Sequence, residues 1–298
     1  MVPNMKLYVI SIIAIFAALG IGIYVGFTLD TNSLIAEQRE DIAAKIEEQF
    51  NFLKEENNAI KKELKEANKE NNEYELFIDS IYEEIIKNRL KERKISIIET
   101  KNDYVYSGID QILEKAGANM ISQIIINEDV MDEKKLKTFY DSLQVSIPDD
   151  EIIFNTIKYL MEYLIAGNNA DIIEKLMEDD FIDMIDNMDR PIDYVIIAGG
   201  SLKEDKNRIN LIDETIIAMA NDLNIPLIGV EKLAVNYSYM PYYKGLKIST
   251  IDNVDTLMGK ISLVLAIEGR PGHYGVKSTA EDPFPDLKTS LSKKTKEQ

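Results

Sequence analysis

The sequence predicts an α/β protein carried on a membrane-anchored helical rod, and three observations predict it. An uncharged apolar run opens the chain. A stretch free of proline and glycine, with an apolar repeat every seven residues, follows it. Short apolar strands then alternate with amphipathic helices over most of the remainder. In chain order, residues 1–30 read as a transmembrane anchor, 31–93 as a coiled coil, 94–270 as the α/β domain with a helical insertion over 131–189, and 271–298 as a motif loop and a disordered tail.

Leu7 to Leu29 contains no charged residue and is bracketed by Lys6 and Asp30. At 1.5 Å per residue it spans roughly 34 Å, enough for a bilayer core. A cleavable signal peptide is the alternative, but it would show an apolar core of about 7 to 15 residues and a small-x-small cleavage site. Gly26-Phe27-Thr28-Leu29 supplies no such site. Lys6 precedes the span, whereas Asp30, Glu37 and Glu40 follow it, with Arg39 and Lys45 reducing the asymmetry. The charge rule places the anchor in the plasma membrane as a single pass, its N-terminus cytoplasmic and everything after it extracytoplasmic. Ala14, Ala18, Gly22 and Gly26 recur every fourth residue and form a stripe on which two helices can approach closely.

Between Leu34 and Glu92 neither proline nor glycine occurs, and Glu, Lys, Asn and Ala dominate, which favours one long helix. Two series interleave along it: Ile46, Leu53, Ile60, Ala67, Tyr74 and Ile81, and Phe50, Asn57, Leu64, Asn71, Ile78 and Ile85. Their alternating spacing of four and three is the seam of a left-handed coiled coil. Asn57 and Asn71 interrupt the apolar seam, as residues that select register and helix number do. With the small-residue stripe on the same helix, the pattern predicts a parallel homodimer.

From Ile95 the period becomes strand-like. Strands are expected at Ile95–Ile98, Met120–Ile126, Tyr194–Ala198, Ile225–Val230 and Leu246–Ile251, and helices at Ser107–Lys115 and Asp252–Glu268. This is a Rossmann-like or flavodoxin-like three-layer pattern. Met131 to Met188 reads as several short helices without a strand.

Composition limits the chemistry. A balance of 52 acidic to 34 basic residues, net −18, weighs against nucleic acid as a partner. The absence of cysteine excludes disulfides, thiolate zinc sites and cysteine nucleophiles, and His273 is the single histidine. Gly199-Gly200-Ser201 stands where doubly wound sheets bind ligands, but it lacks a phosphate-loop pattern, and no histidine lies near Ser201 to activate it. Glu178, Asp179, Asp180, Asp183, Asp186 and Asp189 lack calcium-loop spacing and read as a solvated helix face. Met184 and Met188, one helical turn apart, are soft ligands in principle, but their spacing beside Phe181 and Ile185 fits packing better. No catalytic residue, resident cofactor or metal site is expected.

The opening run Leu7-Tyr8-Val9-Ile10-Ser11-Ile12-Ile13-Ala14-Ile15-Phe16-Ala17-Ala18-Leu19-Gly20-Ile21-Gly22 and the late Gly269-Arg270-Pro271-Gly272-His273-Tyr274-Gly275 together resemble the MctB-like family of copper-transport outer-membrane proteins. The resemblance extends over nearly the whole chain, and Gly-His-Tyr-Gly is its specific part. It implies an anchor, coiled coil and α/β layout, and copper transport or handling at the cell envelope. Through related SteB proteins it implies a membrane partner, SteA, in cell separation and control of cell-wall hydrolysis. A copper path needs repeated Met, His or Cys ligands, which these residues do not supply, and the ten-residue alternation of a membrane barrel is missing. His273 and Tyr274 are expected to clamp a glycine-rich loop over the domain, with ligand binding as the rival role. The tail from Lys277, ending Lys293-Lys294-Thr295-Lys296, is expected to be disordered. The expectation is an envelope scaffold or regulator; copper handling ranks second and an enzyme third.

Overall fold

A computed structural model describes residues 5–187, 189 and 191–287, without the side chains of 29–38 and 40. The chain divides into two compact units, Met1–Glu75 and Leu76–Gln298. The first lies on helix α1 (Met5–Ile86). Its segment Met5–Thr28, of mean hydropathy 2.5, is long and apolar enough to cross a membrane. Farther along, Lys62–Glu66 and Lys69–Glu73 pair one turn apart, a weak aid to helicity. Ile46, Leu53, Ile60 and Leu64 are each more than half exposed on the single helix.

The second unit contains a seven-stranded sheet of order β3-β2-β1-β4-β5-β6-β7. The strands are β1 (Lys94–Glu99), β2 (Asn119–Ile126), β3 (Ile182–Asp186), β4 (Tyr194–Ala198), β5 (Leu227–Val230), β6 (Ser249–Ile251) and β7 (His273–Tyr274). All pair in parallel except β3, which runs antiparallel to β2. β4 is apolar and buried at every position, and β1 is buried at every position after Lys94, Ser96 and Glu99 included, because both of their faces are covered. Val195 and Ile197 enter one core, Ile196 and Ala198 the other.

The first core is roofed by α3 (Glu133–Ser142), α4 (Ile152–Ala166), α5 (Ala170–Glu178), the helical run α6 (Lys206–Arg208) to α7 (Glu214–Asp222), and α8 (Met240–Gly245). The second is roofed by α2 (Ile109–Lys115), α9 (Leu257–Glu268) and the end of α1, which buries Ile86. The result is three layers, as the alternation of elements implies.

Several boundaries differ from the sequence reading. The long helix stops at Ile86 rather than near Glu92, because Asn88 and Glu92 take φ of 58° and 64° and turn the chain. Leu90 is buried there, and its N–H donates to the Ala116 carbonyl at 2.9 Å. The stretch 131–189 contains a strand, β3, that the helical reading missed. Ile182-Asp183-Met184-Ile185-Asp186 mixes acids with apolar residues, and pairing with β2 overrides the helical spacing of its methionines. The acids Asp183 and Asp186 accordingly lie on a strand and not on a helix face. β5 begins at Leu227, just after Pro226, and β6 at Ser249, since Met240–Gly245 is helical and Lys247 adopts φ of 62°. α9 starts at Leu257, where the Thr256 side chain accepts from the Gly259 N–H at 3.0 Å.

Candidate functional site

The strand order changes direction between β1 and β4, so their carboxyl ends frame the crevice where doubly wound sheets hold ligands. Here the protein's own side chains occupy that position. Tyr106, Tyr239 and Tyr243 are buried. The Tyr106 hydroxyl donates to the Gly199 carbonyl, and the rings of Tyr239 and Tyr243 meet edge to face with centroids 6.2 Å apart. A Cβ on Gly199 would lie 2.7 Å from the Tyr239 ring, so only glycine lets the aromatic plug close over the strand end.

Below the plug sit two charged side chains that sequence inspection passed over. Arg208 is fully buried. Its Nε donates to the Thr100 carbonyl at 2.7 Å, and Nη2 donates to the carbonyls of Ile126 at 2.6 Å and Asn127 at 3.2 Å. One guanidinium thus ties together the ends of β1 and β2. Asp213, also fully buried, accepts from Thr100 Oγ1 at 2.9 Å and from the Tyr243 hydroxyl. Burial pushes its pKa up to about 7, against the opposing effect of the Tyr243 and Thr100 hydroxyls and of Arg208.

Local geometry explains why both charges face inward. Residues five apart on an α-helix diverge by about 140°, at 100° per residue. The π-helical turn Ile209–Asp213 widens the helix there, so its fifth residue returns toward the same side. The sequence carried a signal: Arg208 lies four residues before buried Ile212, and Asp213 falls midway in the i+4 series Ile209, Asp213, Ile217.

At the mouth, the Lys101 ammonium lies 3.0 Å from Asp205, 3.2 Å from Glu128 and 3.7 Å from Asp103. Burial alone would lower its pKa, but hydrogen bonds to Asp205 and Glu128 raise it above the usual lysine value. Ser201 is buried in the same region, its backbone bridged to Tyr237.

The glycine-rich motif forms a clamp and a strap on the neighbouring strands. Gly269 closes α9 at φ 132°, and His273 and Tyr274 form β7 beside β6. His273 Nδ1 lies 2.9 Å from Thr250 Oγ1, and burial lowers the imidazole pKa, with Lys244 adding to the effect. The Tyr274 hydroxyl reaches the carbonyls of Arg270 at 3.1 Å and Pro271 at 3.4 Å, curling the loop around its own ring, against which Gly272 packs. Gly275 has φ of 142° and lies directly against the Asp252 carboxylate. That carboxylate accepts from the N–H groups of Val276 and Lys277, each at 2.8 Å. Lys277 then donates to buried Glu231 at 2.7 Å. Burial raises the Glu231 pKa, and Lys277 and Ser238 counter it.

Disorder from Lys277 onward is therefore corrected over 277–287. These residues are bonded to the domain, with the Glu281 N–H donating to the His273 carbonyl at 2.8 Å. The lysines at 293, 294 and 296 lie outside the described residues. Replacing Gly275 with alanine is expected to destabilise the strap by about 1 kcal/mol or more, since the residue combines left-handed backbone with a blocked Cβ position. Amide exchange at Val276 and Lys277 would rise; unchanged exchange would show that the strap does not depend on Gly275.

Of the other residues singled out in sequence, Met184 is half-buried on β3, packed against the first core, and Met188 lies outside the described residues. Ile78 and Ile81 are half-buried, Ile78 against the second core, whereas Asn57 and Asn71 are exposed with the upstream seam. Ala14, Ala18, Gly22 and Gly26 lie on the apolar segment of α1, all exposed. Among the described residues, no group of three or more His, Cys, Asp or Glu is placed to hold a metal ion.

Among curated proteins, none matches the chain. The MctB family, described as copper transport outer membrane protein, matches residues 2–285, from the apolar helix through the clamp and strap, and the chain belongs to that family.

Proposed function

We propose that the protein is a single-pass, dimeric scaffold of the cell envelope, without catalytic activity. Its anchor and rod pair with a second copy and hold the α/β domain on the outer side of the plasma membrane for a membrane partner of the SteA kind, in cell separation or control of cell-wall hydrolysis. The observation that carries this reading is the seam left exposed on α1: Ile46, Leu53, Ile60 and Leu64 recur at coiled-coil spacing and stand more than half exposed. The groove along Gly22 and Gly26 is likewise open, with nothing among the described residues within 4 Å of either Cβ position. The aromatic plug over the β1–β4 crevice supports a binding role for the domain surface over turnover inside it.

Copper handling is the second reading, favoured by the family description. Copper would be cargo, and the chain offers it one imidazole, whose Nδ1 faces Thr250, and no thiolate.

Changing both Ile60 and Leu64 to lysine in the full-length protein separates the readings. The scaffold reading expects dimer and partner co-purification to be lost while the helical and tyrosine spectra of the domain stay unchanged. Retained dimers and partner binding, or tight Cu(I) binding that persists in the variant and disappears on changing His273, would overturn it.

A further inference from the structure

The free edge of the sheet has features that neither the rod nor the clamp uses. Among the described residues β3 pairs with β2 and with no other strand, so one row of its backbone N–H and C=O groups points away from the sheet. Such an edge is a template for another strand unless charged side chains, proline or a bulge blunts it, and the charges on this one are the acids Asp183 and Asp186, which repel a like-charged strand and admit a basic one. β3 carries no lysine or proline, and its register with β2 is unbroken over five pairs.

Its outward face is also apolar at one point. Ile185 is 72% exposed, and beside it lies a cleft of about 310 Å³ whose walls include Gln123, Ile125 and Met177. Two positions away on the same face of the pleat stands Asp183, exposed, and the preceding turn adds exposed Asp179 and Asp180. A second copy laid antiparallel on this edge would bring two such acidic sets together, which is unfavourable. A positively charged strand would find complementary partners there.

We propose that the β3 edge receives an extended segment of a partner protein by strand addition. The segment carries an apolar residue and a basic residue two positions apart. The apolar side chain packs beside Ile185 over the cleft, the basic one meets Asp183, and the backbone extends the sheet. This docking does not depend on pairing of the rod.

The probe is the peptide Val-Thr-Lys-Thr-Val-Thr-Lys added to the full-length protein in detergent, read by anisotropy of a dye on the peptide and by amide exchange over 182–186. Binding is expected to protect the β3 amides. It should fall at least tenfold when glutamates replace the peptide lysines, when the peptide backbone is N-methylated at alternate residues, or in the Asp183→Lys protein. The peptide changes leave the protein itself intact, so misfolding cannot mimic the result. Failure of the parent peptide to bind, equal binding of the glutamate or N-methylated peptide, or self-association of the protein abolished by Ile185→Lys would each overturn the proposal.

Discussion

Replacing Arg208 with methionine is expected to lower the stability of the α/β domain by about 3–5 kcal/mol, the range found when one member of a buried charged network is removed. The substitution keeps much of the side-chain volume, so the loss reports on the guanidinium rather than on a cavity. The carbonyls of Thr100 and Ile126 lose the guanidinium donor in the interior, and that of half-buried Asn127 is left with the Val130 N–H at 3.4 Å. Asp213 loses a cation that favours its ionised form. Because the first two carbonyl groups close β1 and β2, the damage should appear as a lower urea midpoint for the cooperative unfolding of the sheet. Urea unfolding of the full-length protein, followed by tyrosine fluorescence, measures it. A change below about 1 kcal/mol, the level of an ordinary surface substitution, would show that the buried guanidinium does not hold the strand ends.

Asp213 gives the second large effect, and it depends on pH. Its folded-state pKa is raised from 3.8 to about 7, chiefly by burial. The folded protein therefore keeps a proton that the unfolded chain releases. Stability from this group is fully present below about pH 4, declines as pH rises toward 7, and levels off above it. At 1.36 kcal/mol per unit, the difference between pH 4 and pH 8 is on the order of 4 kcal/mol. Asp213→Asn removes that dependence. The variant should lose stability relative to the parent at pH 4, where the neutral acid is favoured, and recover or exceed it at pH 8. Parallel curves for the two proteins across pH 4–8 would contradict a titrating Asp213. The Arg208 and Asp213 effects will not add, since the two groups share Thr100 and act on each other's charge.

The parts of the fold legible in sequence are those where local pattern and tertiary environment agree. β4 is a short apolar run because helices cover both of its faces; β1 and β2, though broken by Ser96, Ser122 and Gln123, keep enough isoleucine, at 95, 97 and 98 and at 121 and 124–126, to read as strands. Helix α1 is legible over tens of residues because neither proline nor glycine occurs after Leu34, and only its end is displaced, by two residues in left-handed conformation. β3 was illegible for the opposite reason. It is an edge strand, half wet, with acids at Asp183 and Asp186, and only its partner β2 makes it a strand.

The candidate site was legible in place but not in content. The Gly199-Gly200-Ser201 turn was rightly located at a strand end, yet the residues that decide its character arrive from elsewhere. Tyr239 and Tyr243 come from the segment before β6, and Arg208 and Asp213 from a π-helical turn that helical periodicity does not anticipate. Charged residues in a polar-looking stretch read as surface unless their position on an apolar stripe is noticed. The motif at 269–275 was recognisable as a shaped loop, but its grip on Asp252 and, through Lys277, on Glu231 depends on contacts with strand ends far away in sequence.

The central claim, that α1 joins two copies side by side, is tested most directly by an inter-chain distance. The protein has no cysteine, so a single spin label on Lys61→Cys, beside the seam, yields dipolar coupling only between chains. In lipid nanodiscs containing the full-length protein, two parallel helices of about 10–12 Å diameter predict one narrow distance on the order of 20–30 Å. A dipolar trace no different from dispersed single labels would contradict the paired rod.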